Sequence, residues 1–161
     1  MLYFYDCEFL EDGYTIDLIS IGIVAEDGRE YYAQSAEFLE AHRSTPWLDQ
    51  HVIPHLSNEW TERATIRDEI LAFMDIEKYG KPELWGYYSA YDHVVFCQLF
   101  GTMMDLPKGY PMYTRDIKQW VDMLGYPNLP EQGRDEHNAL SDARWNKLAW
   151  EFLAHMESKQ P

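Results

Sequence analysis

Four acids and one histidine stand in this chain where their side chains would meet and do chemistry together. Asp6 and Glu8 follow the run Leu2 to Tyr5 (LYFY), a stretch of large β-forming residues. Side chains alternate across a strand, so Asp6 and Glu8 share one face and Cys7 takes the other. Two carboxylates on an apolar strand repel each other, and a divalent cation between them relieves that repulsion. Taken alone, the pair reads first as a solvated strand end. A third acid, Asp92, continues backwards the apolar stripe Val95, Phe96, Leu99 and Met103 of a helix expected over 91–104. Alone it also reads as a first-turn acid favoured by the helix dipole. A fourth, Asp142, continues the stripe Trp145, Leu148, Ala149, Phe152, Leu153 and Met156 of a last helix expected over 136–156. Alone it also reads as half of a salt bridge.

The four acids together narrow these readings. Separate ion pairs would need four buried basic partners from a chain with 13 lysines and arginines, mostly in polar stretches. One shared site filled by metal accounts for all four. Carboxylates without sulfur suit hard cations, Mg²⁺ or Mn²⁺. Two such ions about 4 Å apart make a clamp for in-line displacement at phosphorus. His137 precedes Asp142 by five residues, about 140° around a helix, so the two do not share a face. At the helix entrance His137 would instead reach into the site and take a proton from an attacking water. Its bland alternative is a surface histidine at a helix start.

The elements that must position these groups are legible in the pattern. Residues 15–26 (TIDLISIGIVAE) form a β-type run, apolar on both faces in the middle, expected at the centre of a sheet. Asp27-Gly28 signals a hairpin back into a third strand over 29–35, so strands one to three read as an antiparallel meander. A short helix is expected over 36–43, and Pro46 and Pro54 are expected to break the stretch after it. A helix from Thr61 carries Ile66, Ile70, Phe73 and Met74 on one stripe. A fourth strand is expected over 83–88, a short strand over 113–117 and a helix over 116–124. A meander followed by alternating helices and strands predicts one α/β domain, residues 1–161, with a mixed sheet.

Composition bounds the function. At 161 residues, 46% apolar and 16% aromatic, the chain is long enough for one sizeable core. No apolar run approaches a membrane span and no secretory leader is visible, which predicts a soluble cytoplasmic protein with no membrane partner. Cys7 and Cys97 fall in apolar stretches and read as reduced core residues. The net charge of −15 argues against a protein that coats nucleic acid with a broad basic surface. It leaves room for an enzyme gripping a short stretch at a metal-loaded pocket, where bound cations invert the local charge. His51 and His55 have a zinc-compatible spacing, but Pro54 lies between them and no third ligand is evident. Arg115, Lys118, Arg134, Arg144 and Lys147 are the basic residues near the site in sequence. Trp150, off the stripe of its helix, is expected at a subunit interface.

Asp6-Cys-Glu8, then Tyr88-Ser-Ala-Tyr-Asp92, then His137-Asn-Ala-Leu-Ser-Asp142-Ala143 resemble, in order, the three motifs of the DEDDh 3′–5′ exonucleases. Within that family the surrounding text (YFYDCEFLEDG, LISIGIVAEDGREYY, AYDHVVFCQLFG) is most similar to the polyadenylate-specific ribonuclease AS branch. The resemblance implies an RNase H-like fold, a mixed five-stranded sheet flanked by helices. It implies that Asp6, Glu8 and Asp142 hold one metal and that Asp6 and Asp92 hold a second. His137 is the implied general base. Phe9 and Leu10 are the implied contacts to the last nucleotide, with a core role for Phe9 the alternative. It further implies a homodimer that hydrolyses single-stranded RNA, adenine-rich ends included, from the 3′ end to nucleoside 5′-monophosphates. Ser89 and Tyr91 replace the Asn and Phe of many relatives, and Cys7 a frequent Thr. The alternative activities are a DNA or short-oligonucleotide 3′–5′ exonuclease and a non-catalytic RNA-binding relative. The intact acids speak against the last of these.

Overall fold

Strand β1 runs the full ten residues Leu2–Glu11, past both acids, because the β-forming run resumes beyond them at Phe9 and Leu10. It pairs antiparallel with β2 (Ile16–Ala25), which pairs antiparallel with β3 (Glu30–Gln34). On its other side β1 pairs in parallel with β4 (Glu83–Gly86), and β4 in parallel with the two-residue β5 (Arg115–Asp116). The order β3-β2-β1-β4-β5 makes a mixed five-stranded sheet. The expected meander therefore covers only its first three strands. The sheet as a whole is not a simple meander, because β4 and β5 return through helical crossovers that force parallel pairing. The structure is a computed structural model and describes residues 1–41, 43–133 and 136–159.

Helices α1 (Ala36–Ala41), α2 (Pro46–His51), α3 (Arg63–Phe73), α4 (Ile76–Tyr79), α5 (Ala90–Gln98), α6 (Ile117–Met123) and α7 (Ala139–Glu157) flank the sheet. One core joins Tyr3, Tyr5, Cys7, Ile21 and Ile23 of the sheet to Ile66 and Ile70 of α3 and Val95 and Phe96 of α5. Another joins Ile117 and Val121 of α6 to Ala149 and Leu153 of α7, with Trp85, Trp120 and Trp150 packed on it. A third holds the far ends of β1 and β2, through Leu10 and Ile19, against Phe38, Leu48 and Val52. Among the described residues no helix is long and apolar enough to cross a membrane.

Several boundaries differ from expectation for local reasons. Pro46 opens a helix where a break was expected: Thr45 caps it, its hydroxyl accepting from the Leu48 amide at 3.2 Å, and proline is tolerated in the first turn. Helix α5 stops at Gln98, so Met103 lies beyond it and is about half exposed. Leu148 is also exposed; the buried stripe of α7 is Ala139, Asp142, Ala143, Asn146, Ala149 and Leu153, mostly small residues that let the helix lie close to the sheet. Trp150 packs inside the chain, 5.6 Å from the Phe4 ring and 6.0 Å from that of Trp120. One side of Trp150 is thus covered by the Phe4 face of β1.

Candidate active site

The site is built where α7 crosses β1 and β2. Asp6 pairs with Gly22 and Glu8 with Ser20 in the antiparallel register. A Cβ at Gly22 would lie 2.3 Å from the carbonyl oxygen of Ala139, so only glycine lets the first turn of α7 rest there. One turn further along, Asp142 faces the strand. Asn146, four residues on, donates from Nδ2 to the Tyr5 carbonyl at 2.9 Å and ties the buried face of α7 to β1. Sequence reasoning passed over Gly22 and Asn146. The available signals were a glycine inside a buried β run and an amide one turn beyond Asp142.

Asp142 is buried and doubly held. Its carboxylate accepts from Gln132 Nε2 at 2.6 Å and from the His137 amide at 2.9 Å. The second bond requires a sharp turn: His137 has φ +70, and Asn138 caps α7, accepting from the Ser141 amide at 3.1 Å. Helix α7 therefore begins at Ala139, three residues later than expected, and His137 lies before it rather than in its first turn. Gln132 is a further residue missed in the sequence, because nothing local distinguishes it from other polar loop residues.

Asp92 reaches the site from the first turn of α5. Strand β4 pairs with β1 only as far as Phe4, so the Cys7 amide beyond it has no partner there. Asp92 Oδ1 accepts from that amide at 2.7 Å. The turn before α5 is held by Asp116, whose carboxylate accepts from the amides of Tyr88 and Ser89 at 3.3 and 3.2 Å. Tyr88 pays for that turn with φ +54.

The electrostatics are those of crowded, buried carboxylates. Burial, then the charges of Asp142 and Asp92, pushes Glu8 up to about 8. Burial raises Asp92 to about 7 against the opposing hydrogen bond from the Cys7 amide. Asp6 is driven well above the usual carboxylate range by burial and then by Asp92, Glu8 and Asp142. Asp142 is raised by burial and partly restrained by Gln132 and the His137 amide. Among the described residues, none of the salt bridges reaches these four acids. Ligand atoms of Glu8, His137 and Asp142 lie within 4.8 Å of one another, a spacing that one ion can span. Asp6, His137 and Asp142 line one open cavity of about 290 Å³ with Tyr87, Tyr88 and Gln132. Uncompensated oxygen donors of this kind fit hard divalent cations.

Of the other expected residues, Phe9 and Leu10 line a separate cavity with Trp47 and Leu48 and not the one around Asp6 and Asp142. A bulge between Glu8 and Phe9 re-aims the strand end. Phe9 is half-buried with its ring 5.9 Å from that of Tyr91, and Leu10 is mostly core. His51 and His137 lie 5.7 Å apart, ring centre to ring centre. Of the basic residues, Arg115 pairs with Glu83, Lys118 with Asp122 and Arg144 with Glu30, while Lys147 donates to the carbonyls of Ala25 and Glu26. Arg134 lies outside the described residues.

The description "3'-5' exoribonuclease Rv2179c-like domain" belongs to the family model that matches residues 1–154. Two relatives named as 3'-5' exoribonucleases, Rv2179c of Mycobacterium tuberculosis strain H37Rv and MT2234.1 of strain CDC 1551, are similar to it. Each is 49% identical over 148 residues, 89% of this chain and 88% of the relative.

Proposed function

This chain belongs to the family of 3′–5′ exoribonuclease Rv2179c-like domains, and from that premise we propose that it is a metal-dependent 3′–5′ exoribonuclease. Its substrate is single-stranded RNA, adenine-rich ends included, and its products are nucleoside 5′-monophosphates. One observation carries the metal dependence: four carboxylates from three separate elements converge with no basic partner among the described residues.

Asp6, Glu8, Asp92 and Asp142 would hold two Mg²⁺ or Mn²⁺ ions. Bound there, the ions would neutralise charge at the scissile phosphate and make water a better nucleophile. The protein's own groups do the rest. His137, at the mouth of the cavity, accepts the proton of the attacking water. Its amide and Gln132 fix Asp142 in place. The Cys7 amide fixes Asp92. Phe9 and Leu10, directly after Glu8, meet the last nucleotide. Assembly as a homodimer belongs to the same reading and is checked by light scattering.

The test is a degradation panel. 5′-labelled poly(A), poly(U), mixed-sequence RNA and single-stranded DNA are incubated with Mg²⁺, Mn²⁺ or excess chelator. The expected result is stepwise shortening of RNA with release of 5′-monophosphates, fastest on poly(A), and none in chelator. Asp142→Asn should lower turnover by about a thousandfold or more while the chain stays folded, since metal charge stabilisation is worth several kcal/mol. Full activity in chelator, or in Asp142→Asn, would overturn the reading.

A further inference from the structure

Among the described residues, three other than glycine have a left-handed backbone: His137, Tyr88 (φ +54) and Tyr126 (φ +62). His137 turns to bring its amide to Asp142. The two tyrosines are of another kind. They are 64% and 69% exposed, so neither ring is there to fill the core. A left-handed backbone suits glycine and disfavours a residue with a Cβ. At Tyr126 it is set by the end of α6, where the Tyr126 amide donates to the Val121 carbonyl at 3.0 Å. That bond asks nothing of the side chain. Exposed rings are kept on strained backbone at both positions, and strain of that kind gathers at functional sites.

The two rings share one cation. The Lys118 ammonium lies 5.2 Å from the centre of the Tyr126 ring and 6.0 Å from that of Tyr88, within cation–π reach of both. Asp122, one turn further along α6, accepts from the same ammonium. Tyr88 is braced from behind: its ring meets that of Tyr87 edge to face at 4.8 Å, and Tyr87 meets Trp145 at 5.1 Å. Tyr87, Tyr88 and Trp145 also line the cavity of Asp6 and Asp142. The row Tyr88, Lys118, Tyr126 therefore starts at the rim of the acid cavity and runs outward. Phe9 and Leu10 line the separate cavity beyond Glu8, so the row leaves the acids on the Asp6 side. Arg115, Arg144 and Lys147 are turned to Glu83, to Glu30 and to the carbonyls of Ala25 and Glu26. Lys118 thus stands where a polyanion leaving the cavity would meet it.

We propose that Tyr88, Lys118 and Tyr126 form a track for the RNA upstream of the scissile phosphate, the tyrosines stacking its bases and Lys118 contacting a phosphate between them. This rests on the reading of the acid cavity as an exoribonuclease site and extends it. A ring face accepts any base, and an ammonium between two rings matches the alternation of base and phosphate along a single strand. Asp122 is no obstacle, since an exposed ion pair is worth little and a phosphate competes for the same ammonium. A dinucleotide ends near Tyr88; a longer strand covers the whole row.

The test compares initial rates on oligo(A) of two and of eight nucleotides, with Mg²⁺ saturating. The parent should have a KM at least about tenfold lower for the octamer, as expected when further bases stack. Tyr126→Gly and Lys118→Gln should each shrink that advantage about fivefold or more. Tyr126→Phe should keep it within about twofold, because the ring face remains. In Lys118→Gln the slope of log KM for the octamer against log salt should fall by about 0.7, the share of one phosphate contact on a single strand. Tyr126→Gly relieves the backbone and removes only an exposed ring, so it should melt no lower than the parent. An octamer advantage unchanged in Tyr126→Gly or in Lys118→Gln overturns the proposal. So does a clear fall in the melting temperature of Tyr126→Gly, which would give the ring a structural role. If the parent cuts both lengths equally well, the acid cavity keeps its reading and the track alone falls. If the parent shortens neither RNA, the exoribonuclease reading itself fails.

Discussion

Replacing Glu8 by Gln should make the metal-free protein more stable at pH 8 and leave it almost unchanged at pH 5. In the folded chain burial and the neighbouring carboxylates raise Glu8 from its ordinary 4.5 to about 8. Between those values the folded chain holds a proton that the unfolded chain has released, so stability is full below pH 4.5 and is lost as pH rises towards 8. At 1.36 kcal/mol per pKa unit, that rise corresponds to about 4–5 kcal/mol against the ionised form. Glu8 is only 9% exposed, so solvent screening removes little of it. Asp92, raised to about 7, adds to the same trend, but its charge is one of those that raise Glu8, and the two are not summed. A few kcal/mol is a large share of a typical domain's stability. At about 2–4 °C per kcal/mol for a chain of this size, the parent in chelator should melt about 10 °C lower at pH 8 than Glu8→Gln. Circular dichroism melts of both proteins from pH 5 to 8.5, with and without Mg²⁺ or Mn²⁺, measure it. The metal should restore the parent at pH 8 and do little for Glu8→Gln. Comparing the two removes the general effect of the acidic net charge. A difference between them that does not grow with pH, or equal stabilisation by metal, would refute the reasoning.

Two further outcomes are expected from the packing. Gly22→Ala places a methyl 2.3 Å from the Ala139 carbonyl oxygen, so α7 must lift from β2; urea unfolding should show a loss of about 2–3 kcal/mol, with activity falling as Asp142 moves off the strand. Gln132→Ala removes the amide that holds Asp142 Oδ1 at 2.6 Å; the metal concentration for half-maximal activity should rise about tenfold, with kcat at saturating metal close to that of the parent.

The groups that the sequence determined by itself are those with local signatures. Asp6 and Glu8 share a strand face because alternation is a property of the backbone, and β1 carries them as expected. Asp142 lies on the buried stripe of α7 and Asp92 is buried in the first turn of α5, because helical periodicity shows that an acid has replaced an apolar residue. The tertiary structure alone decided how these groups are held. The Cys7 amide is free for Asp92 only because β4 stops short. Asp142 meets the strand acids only because Gly22 lacks a side chain where α7 crosses. His137 turns outside the helix because its amide finds Asp142, a choice made by a long-range packing arrangement that periodicity does not encode. Trp47 and His51, with no signature beyond a short helix after a proline, reach His137 from a distant part of the chain. Strand and helix faces are set by neighbours along the chain; the aim of a side chain within a site is set by whatever the fold packs against it.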